Sequence, residues 1–184
     1  MFIETALREA IEASKKWNLP IGAILVIWDK IVGVAGNEIG TKNSRNAHAE
    51  RILLEQFPEY RDVPDKKLYV TLEPCRKCMK SIVDFWGFSE VNYILKDTDL
   101  WWCAFHRDTL KQVGIQTNIL QSNEEEYLRI IIQSLKNFWD TEDMSFYTFF
   151  FIKMIGDKIH KYESLKKMSE YPLFEKLHKQ YHWL

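Results

Sequence analysis

Lys67-Leu68-Tyr69-Val70-Thr71-Leu72 runs through Glu73-Pro74 into Cys75-Arg76-Lys77-Cys78 and on to Phe85. The first six residues are β-branched and apolar enough to read as a strand. The residues from Arg76 to Phe85 read as a helix, and Val91-Asn92-Tyr93-Ile94-Leu95 follows as another strand. A strand, a helix and a strand in succession require parallel pairing, because a tight turn cannot connect parallel neighbours. Downstream, Leu100 to Val113 is helical and Ile115 to Leu120 gives a further strand after Gly114. Upstream, a helical segment from Ala47 to Phe57 precedes a loop bracketed by Pro58 and Pro64. Before it, Ile21 to Ile27 is a nearly continuous apolar run, suited to a strand buried on both faces. It turns at Asp29-Lys30 into Ile31-Val32-Gly33-Val34-Ala35. Ile3, Leu7, Ala10, Ile11, Ser14 and Trp17 recur at helical spacing and open the chain, with Pro20 as the stop.

These elements predict a three-layer α/β/α sandwich around a five-stranded mixed sheet, a hairpin followed by parallel strands. Residues 1–120 form that domain. Residues 121–184 read as a C-terminal helical extension packed on it: Ser122-x-x-Glu125 fits a capping box, and Tyr127, Leu128, Ile131, Leu135 and Trp139 continue at helical spacing. The aromatic cluster from Phe146 to Phe151 is most economically core, and the Lys166-Lys167 stretch a solvated helix face.

The chain has 184 residues, 25 Lys+Arg against 26 Asp+Glu, and a net charge of −1, which argues against a strongly basic nucleic-acid coat. Three cysteines make a disulfide framework a poor reading and fit a reducing compartment. Glu4, Arg8 and Glu9 interrupt any apolar signal region, and the greasiest stretch, Phe146 to Ile155, is too short to span a bilayer. The expectation is a cytoplasmic protein without a membrane partner.

Two motifs carry chemistry, His48-Ala49-Glu50 and Pro74-Cys75-Arg76-Lys77-Cys78, each at the start of an expected helix. A lone His-x-Glu means little, and a lone Cys-x-x-Cys has redox and structural uses. In this order, with strands and helices between them, they resemble the pattern of zinc-dependent nucleobase deaminases. Cys75 and Cys78 share one face of a first helical turn, where unpaired N–H groups lower the cost of thiolates. His48 and Glu50 converge only at a helix N-terminus. One imidazole and two thiolates leave the fourth position of a tetrahedral zinc open, as in catalytic sites. Glu50, beside the metal without ligating it, is placed to take a water proton and pass it to the ring nitrogen and departing amine.

The chain is identified as resembling the cytidine/deoxycytidylate deaminase superfamily. The likeness runs over Pro20-Ile21-Gly22-Ala23, Asn37, Ala47-His48-Ala49-Glu50 and Leu68-Tyr69-Val70-Thr71-Leu72-Glu73-Pro74-Cys75-x-x-Cys78. It implies one Zn2+ per chain on His48, Cys75 and Cys78, with Glu50 as catalytic proton shuttle. It also implies Asn37, Ala49 and Asp97 as substrate-side residues, and a homodimer. The helix before Ile115 points to the branch that includes deoxycytidylate, tRNA-adenosine and guanine deaminases. Tyr-Val-Thr-Leu-Glu-Pro-Cys resembles bacterial tRNA adenosine deaminases. However, Ser44-Arg45-Asn46 and Ile94-Leu95-Lys96 stand where those carry other residues. The expected substrate is a small-molecule nucleobase, nucleoside or nucleotide, with adenosine in tRNA as the alternative.

Competing readings stand beside these. Cys75, Cys78, Cys103 and His106 could close a four-ligand structural zinc site, against Cys103 and His106 as incidental helix residues. Asn37 doubles as a turn residue, and Asp97 and Asp99 as loop or cap residues. Trp101 and Trp102 serve either core or dimer packing, or stack on a base. A different class altogether is a non-catalytic, zinc-stabilised binding module.

Overall fold

The computed structural model describes residues 2–97, 101–139, 152, 155, 156 and 158–181, with backbone alone at 101–106, 136–139, 180 and 181. It divides into two compact units, Met1–Gln121 and Ser122–Leu184.

In the first unit, helix α1 (Phe2–Lys15) leads to strands β1 (Gly22–Ile27) and β2 (Lys30–Gly36). A one-turn α2 (Ile39–Lys42) and helix α3 (Ala49–Gln56) precede β3 (Lys66–Leu72). Helix α4 (Arg76–Asp84), β4 (Phe88–Leu95), α5 (Trp101–Gln112) and β5 (Gln116–Ile119) complete it. The expected five-stranded mixed sheet is present, in the order β2-β1-β3-β4-β5. β1 pairs antiparallel with both β2 and β3, while β3–β4 and β4–β5 are parallel. Helices cover both faces. A Cβ on Gly22 would strike α1 and one on Gly36 would crowd it, whereas one on Gly33 would strike Phe57 and meet Leu53 at the end of α3. On the α3 side, α4 packs between α3 and α5.

The opening helix stops earlier than its periodicity suggests. It ends at Lys15, and Trp17 adopts φ 63° in the reversal that follows. The polar stretch before Ala47 hides the short α2, docked by Asn18, whose Oδ1 accepts from Thr41 N at 3.0 Å. β4 begins at Phe88, three residues before the apolar Val91 that marks it in sequence.

Strand directions decide where the site lies. β2, β3 and β4 all point the same way, because β1 is antiparallel to its two neighbours. Asn37 after β2, Glu73 to Cys75 after β3 and Asp97 after β4 therefore gather at one end of the sheet. Helices α3 and α4 begin there, as expected for ligand sites at the carboxyl ends of strands.

The second unit holds α6 (Glu124–Trp139), α7 (Glu163–Lys166) and α8 (Tyr171–Tyr181). Tyr127, Leu128, Ile131, Leu135, Leu165, Phe174 and Leu177 are buried, and Tyr162 donates to Glu124 Oε2 at 3.0 Å. The Ser122 capping box does not form. Ser122 Oγ hydrogen-bonds Asn123 Oδ1 instead, and Glu125 binds Ser164. No helix among the described residues is long and apolar enough to cross a membrane. Asp99 and the Phe146–Phe151 cluster lie outside the described residues, as do the side chains of Trp101, Trp102, Cys103 and His106.

Candidate metal centre

His48 is the residue immediately before α3, extended at φ −75° and ψ 147°, and Cys75 holds the same place before α4 at φ −68° and ψ 169°. Extended backbone at a helix start turns each side chain across the open end of the helix rather than along its flank. Cys78 then enters from the first turn of α4. Two separate helices thus converge on one point, although 27 residues separate His48 from Cys75.

The three donor atoms form a nearly regular triangle. Cys75 Sγ lies 3.7 Å from His48 Nδ1, Cys78 Sγ lies 3.6 Å from it, and the two sulfurs are 3.5 Å apart. Tetrahedral zinc with Zn–S of about 2.3 Å and Zn–N of about 2.0–2.1 Å separates two sulfurs by about 3.8 Å and sulfur from nitrogen by about 3.6 Å. The triangle is that of zinc to within about 0.3 Å. Nδ1 is the His48 nitrogen that faces both sulfurs, and the ring also hydrogen-bonds the backbone of Arg45, which holds its orientation. Among the described residues this is the one cluster of three or more metal-ligating groups with such spacing.

Charge is unevenly shared within the cluster. The hydrogen bond from Cys78 pulls the Cys75 thiol down to about 4, with His48 assisting against burial. The Cys75 thiolate in turn pushes the Cys78 thiol well above its ordinary value, reinforced by burial. Burial opposes charging of His48, but the Cys75 hydrogen bond and the Glu50 carboxylate outweigh it and raise the imidazole. The set is a ready acceptor for a dication: anionic, soft and partly accessible at Cys75 and His48.

Glu50 sits one turn-start beyond His48, 4% exposed. Burial pushes its carboxyl up to about 7, with the Cys75 thiolate adding to the rise and His48 opposing it. Its side chain hydrogen-bonds Cys78, so it lies against the metal triangle without belonging to it. A carboxyl near neutrality can both take and return a proton.

The substrate-side expectations separate by atom. Ala49 is fully buried at the start of α3, where first-turn N–H groups have no partner within the helix. Asn37 is 1% exposed; its Oδ1 accepts from Ile39 N at 3.0 Å, and its Nδ2 has no partner among the described residues. A buried donor left unpaired marks a place for a ligand or an ordered water. Asp97 follows β4 at the same end of the sheet, half-buried, with its N–H donating to Glu73 Oε2 at 3.0 Å. Glu73 is a residue that sequence reasoning passed over. Its only signal there is an acid between an apolar strand and Pro74.

Residues 1–95 match the cytidine and deoxycytidylate deaminase zinc-binding region. The chain is 39% identical over 87 residues to the tRNA-specific adenosine deaminase of Buchnera aphidicola, covering 45% of this chain and 57% of that protein. It is 40% identical over 85 residues to the protein of the same name in Agrobacterium fabrum, covering 44% and 55%. The chain thus spans about half the length of the curated relatives it matches. The solved guanine deaminase of Nitrosomonas europaea shares the fold, with a TM-score of 0.62 over 72% of this chain and 82% of that one at 16% identity. RibD of Acinetobacter baumannii does likewise, with a TM-score of 0.60 over 73% and 38% at 23% identity. The matched region covers more than half of the 184 residues and contains the whole donor triangle. The chain belongs to the cytidine and deoxycytidylate deaminase zinc-binding family.

Proposed function

We propose that the chain is a zinc-dependent hydrolase that converts an amino-bearing nucleobase to its keto form with release of ammonia. The observation that carries the reading is the donor triangle of His48, Cys75 and Cys78 with buried Glu50 against it. His48, Cys75 and Cys78 would hold the zinc, which would supply Lewis acidity. Glu50 would take a proton from the attacking water as its oxygen adds to the amine-bearing carbon. It delivers the proton to the ring nitrogen, and a second transfer to the exocyclic nitrogen lets the C–N bond break and ammonia leave. Asn37 Nδ2 and the Ala49 N–H orient the base through hydrogen bonds, and Asp97 lines the same end. Burial of Glu50 keeps bulk water from competing for its proton.

Adenine within RNA is the substrate this reading favours. The Buchnera and Agrobacterium relatives are named tRNA-specific adenosine deaminases. The overall charge of −1 does not describe the sequence flanking the donor triangle. Arg45, three residues before His48, and Arg76 and Lys77, between the cysteines, are exposed and have no ion-pair partner among the described residues. Three free cations at the rim of the site suit phosphate contacts. Ammonia release against free cytosine, guanine, adenosine, cytidine and deoxycytidylate, run beside inosine formation in tRNA, separates a small-molecule substrate from RNA. Turnover of free compounds alone would discard the RNA reading, and no turnover of any would leave the zinc-stabilised binding module.

We place the activity in residues 1–120, treat 121–184 as an appended helical extension, and take the assembly to be a cytoplasmic homodimer. Exposed Trp28 and Trp86, each 73% accessible, support a buried partner surface. Sedimentation at micromolar concentration tests the dimer.

A further inference from the structure

Glu73 stands two residues before Cys75, joined to it through Pro74, whose fixed φ makes the connection stiff. Its side chain is completely inaccessible, yet the reaction leaves it unused. Its N–H and both carboxylate oxygens reach across to β4, the residues after it, or α5. The backbone N–H donates to Leu95 O at 2.8 Å. Oε2 accepts from the Asp97 N–H at 3.0 Å, and Oε1 pairs with Arg107 Nε at 3.0 Å. Tyr93, 1% exposed, is close enough to both charged groups to be affected by each. One buried carboxylate therefore holds Asp97, the second residue after β4, and the middle of α5 to the arm that carries Cys75.

Continuing the parallel pairing of β3 and β4 past the ladder does not require this device. Leu72 and Leu95 already pair. What Glu73 adds is the placement of Asp97 beyond the end of the ladder, where backbone pairing no longer dictates the path. A purely structural ion pair needs neither a third bond to a loop N–H nor a position on the ligand arm itself.

We propose that Glu73 is a positioning residue that sets Asp97, on the substrate side of the site, at a defined place relative to Cys75. The inference rests on the deaminase reading for its kinetic consequence but not for its structural one. Glu73 does not touch the reacting atoms. It acts through Asp97 and Arg107, so its loss weakens substrate recognition while the metal and Glu50 stay in place.

The test uses the zinc-loaded chain with Glu73→Gln, Glu73→Asp and Arg107→Met. Zinc per chain, measured by atomic absorption, should match wild type in all three. Amide exchange followed by mass spectrometry should speed up about tenfold or more at Asp97 in the two Glu73 variants, with the β3–β4 ladder unchanged. On the substrate that wild type turns over best, Glu73→Gln should raise KM about tenfold and leave kcat within about threefold. Arg107→Met should shift KM in the same direction, and the double variant should cost no more than Glu73→Gln alone. Loss of zinc, exchange accelerated throughout both strands, or a fall in kcat at constant KM would each overturn the proposal. If Glu73→Gln fails to fold, Arg107→Met, at a side chain 22% exposed, carries the same KM test. Absence of turnover in wild type would defeat the deaminase reading, while zinc content and Asp97 exchange would still decide the placement.

Discussion

Gly22 supports the backbone of α1 directly: a Cβ at that position would lie 2.1 Å from Ala6 O and 2.7 Å from Ala10 N. Helix and strand touch main chain to main chain, with Ala6 and Ala10 fully buried at the contact. Gly22→Ala should therefore lift α1 off the sheet. Overpacking against backbone, which cannot rotate away, costs at the upper end of or beyond about 1–3 kcal/mol. Urea titration should show a midpoint loss of that size, and a wild-type midpoint would refute the close approach.

The metal set and Glu50 should come apart under substitution. His48→Ala, Cys75→Ala and Cys78→Ala each remove one corner of the triangle and should abolish stoichiometric zinc. Glu50→Gln should retain zinc and thermal stability yet lose about 10²–10⁴ in turnover, the range for a positioned acid/base group. Zinc lost with Glu50→Gln would make Glu50 a ligand, and full activity would remove it from the reaction.

How much of this was legible beforehand depended on whether the signal was local. The Cys75-x-x-Cys78 and His48-x-Glu50 spacings are local, and both motifs lie at helix starts, so the three-donor cluster could be read without coordinates. The parallel β3–β4 pairing followed from the intervening α4. Strand order did not follow. β1 lies between β2 and β3 because it pairs on both edges, and an apolar run reveals burial but not which neighbours it has. The Glu73–Arg107 pair spans 34 positions with no periodic pattern. A single acid after a strand reads equally as a cap, a turn or a partner. Net charge is equally non-local, because a sum of −1 says nothing about where Arg45, Arg76 and Lys77 fall.

Lys66 gives a stability test remote from the metal. It is 0% exposed at the start of β3, the opposite end of the sheet. Its ammonium donates to Arg61 O at 2.9 Å and to Val63 O, and lies 5.4 Å from the ring centres of both Phe85 and Phe88. It thereby ties the loop before β3 to the turn before β4. Burial lowers its pKa, with Asp62 opposing. Lys66→Met keeps the aliphatic stem and removes the charge-assisted bonds, which should cost about 1.5–3 kcal/mol. Thermal melts should fall by several degrees, while zinc content and turnover remain at wild type. A drop in zinc content would show the two ends of the sheet to be coupled.

Tyr93 supplies a pH dependence with a definite sign. Burial pushes its phenol up to about 12, the Glu73 charge adds to the rise, and Arg107 opposes it. A phenol ionises near 10 in an unfolded chain, so the native state favours the neutral form. Its contribution is present in full below pH 10 and is lost as pH rises from 10 through 12, by at most about 3 kcal/mol. Tyr93→Phe cannot ionise, so its stability should decline less steeply than wild type between pH 10 and 12. Other tyrosines with raised values, Tyr69 and Tyr162, are common to both proteins and cancel in the difference. Chemical denaturation at pH 9, 10, 11 and 12 measures the two slopes. Parallel curves would mean that Tyr93 ionises freely and that the cluster around Glu73 is open to water, whereas convergence of the two proteins with rising pH confirms a dry one.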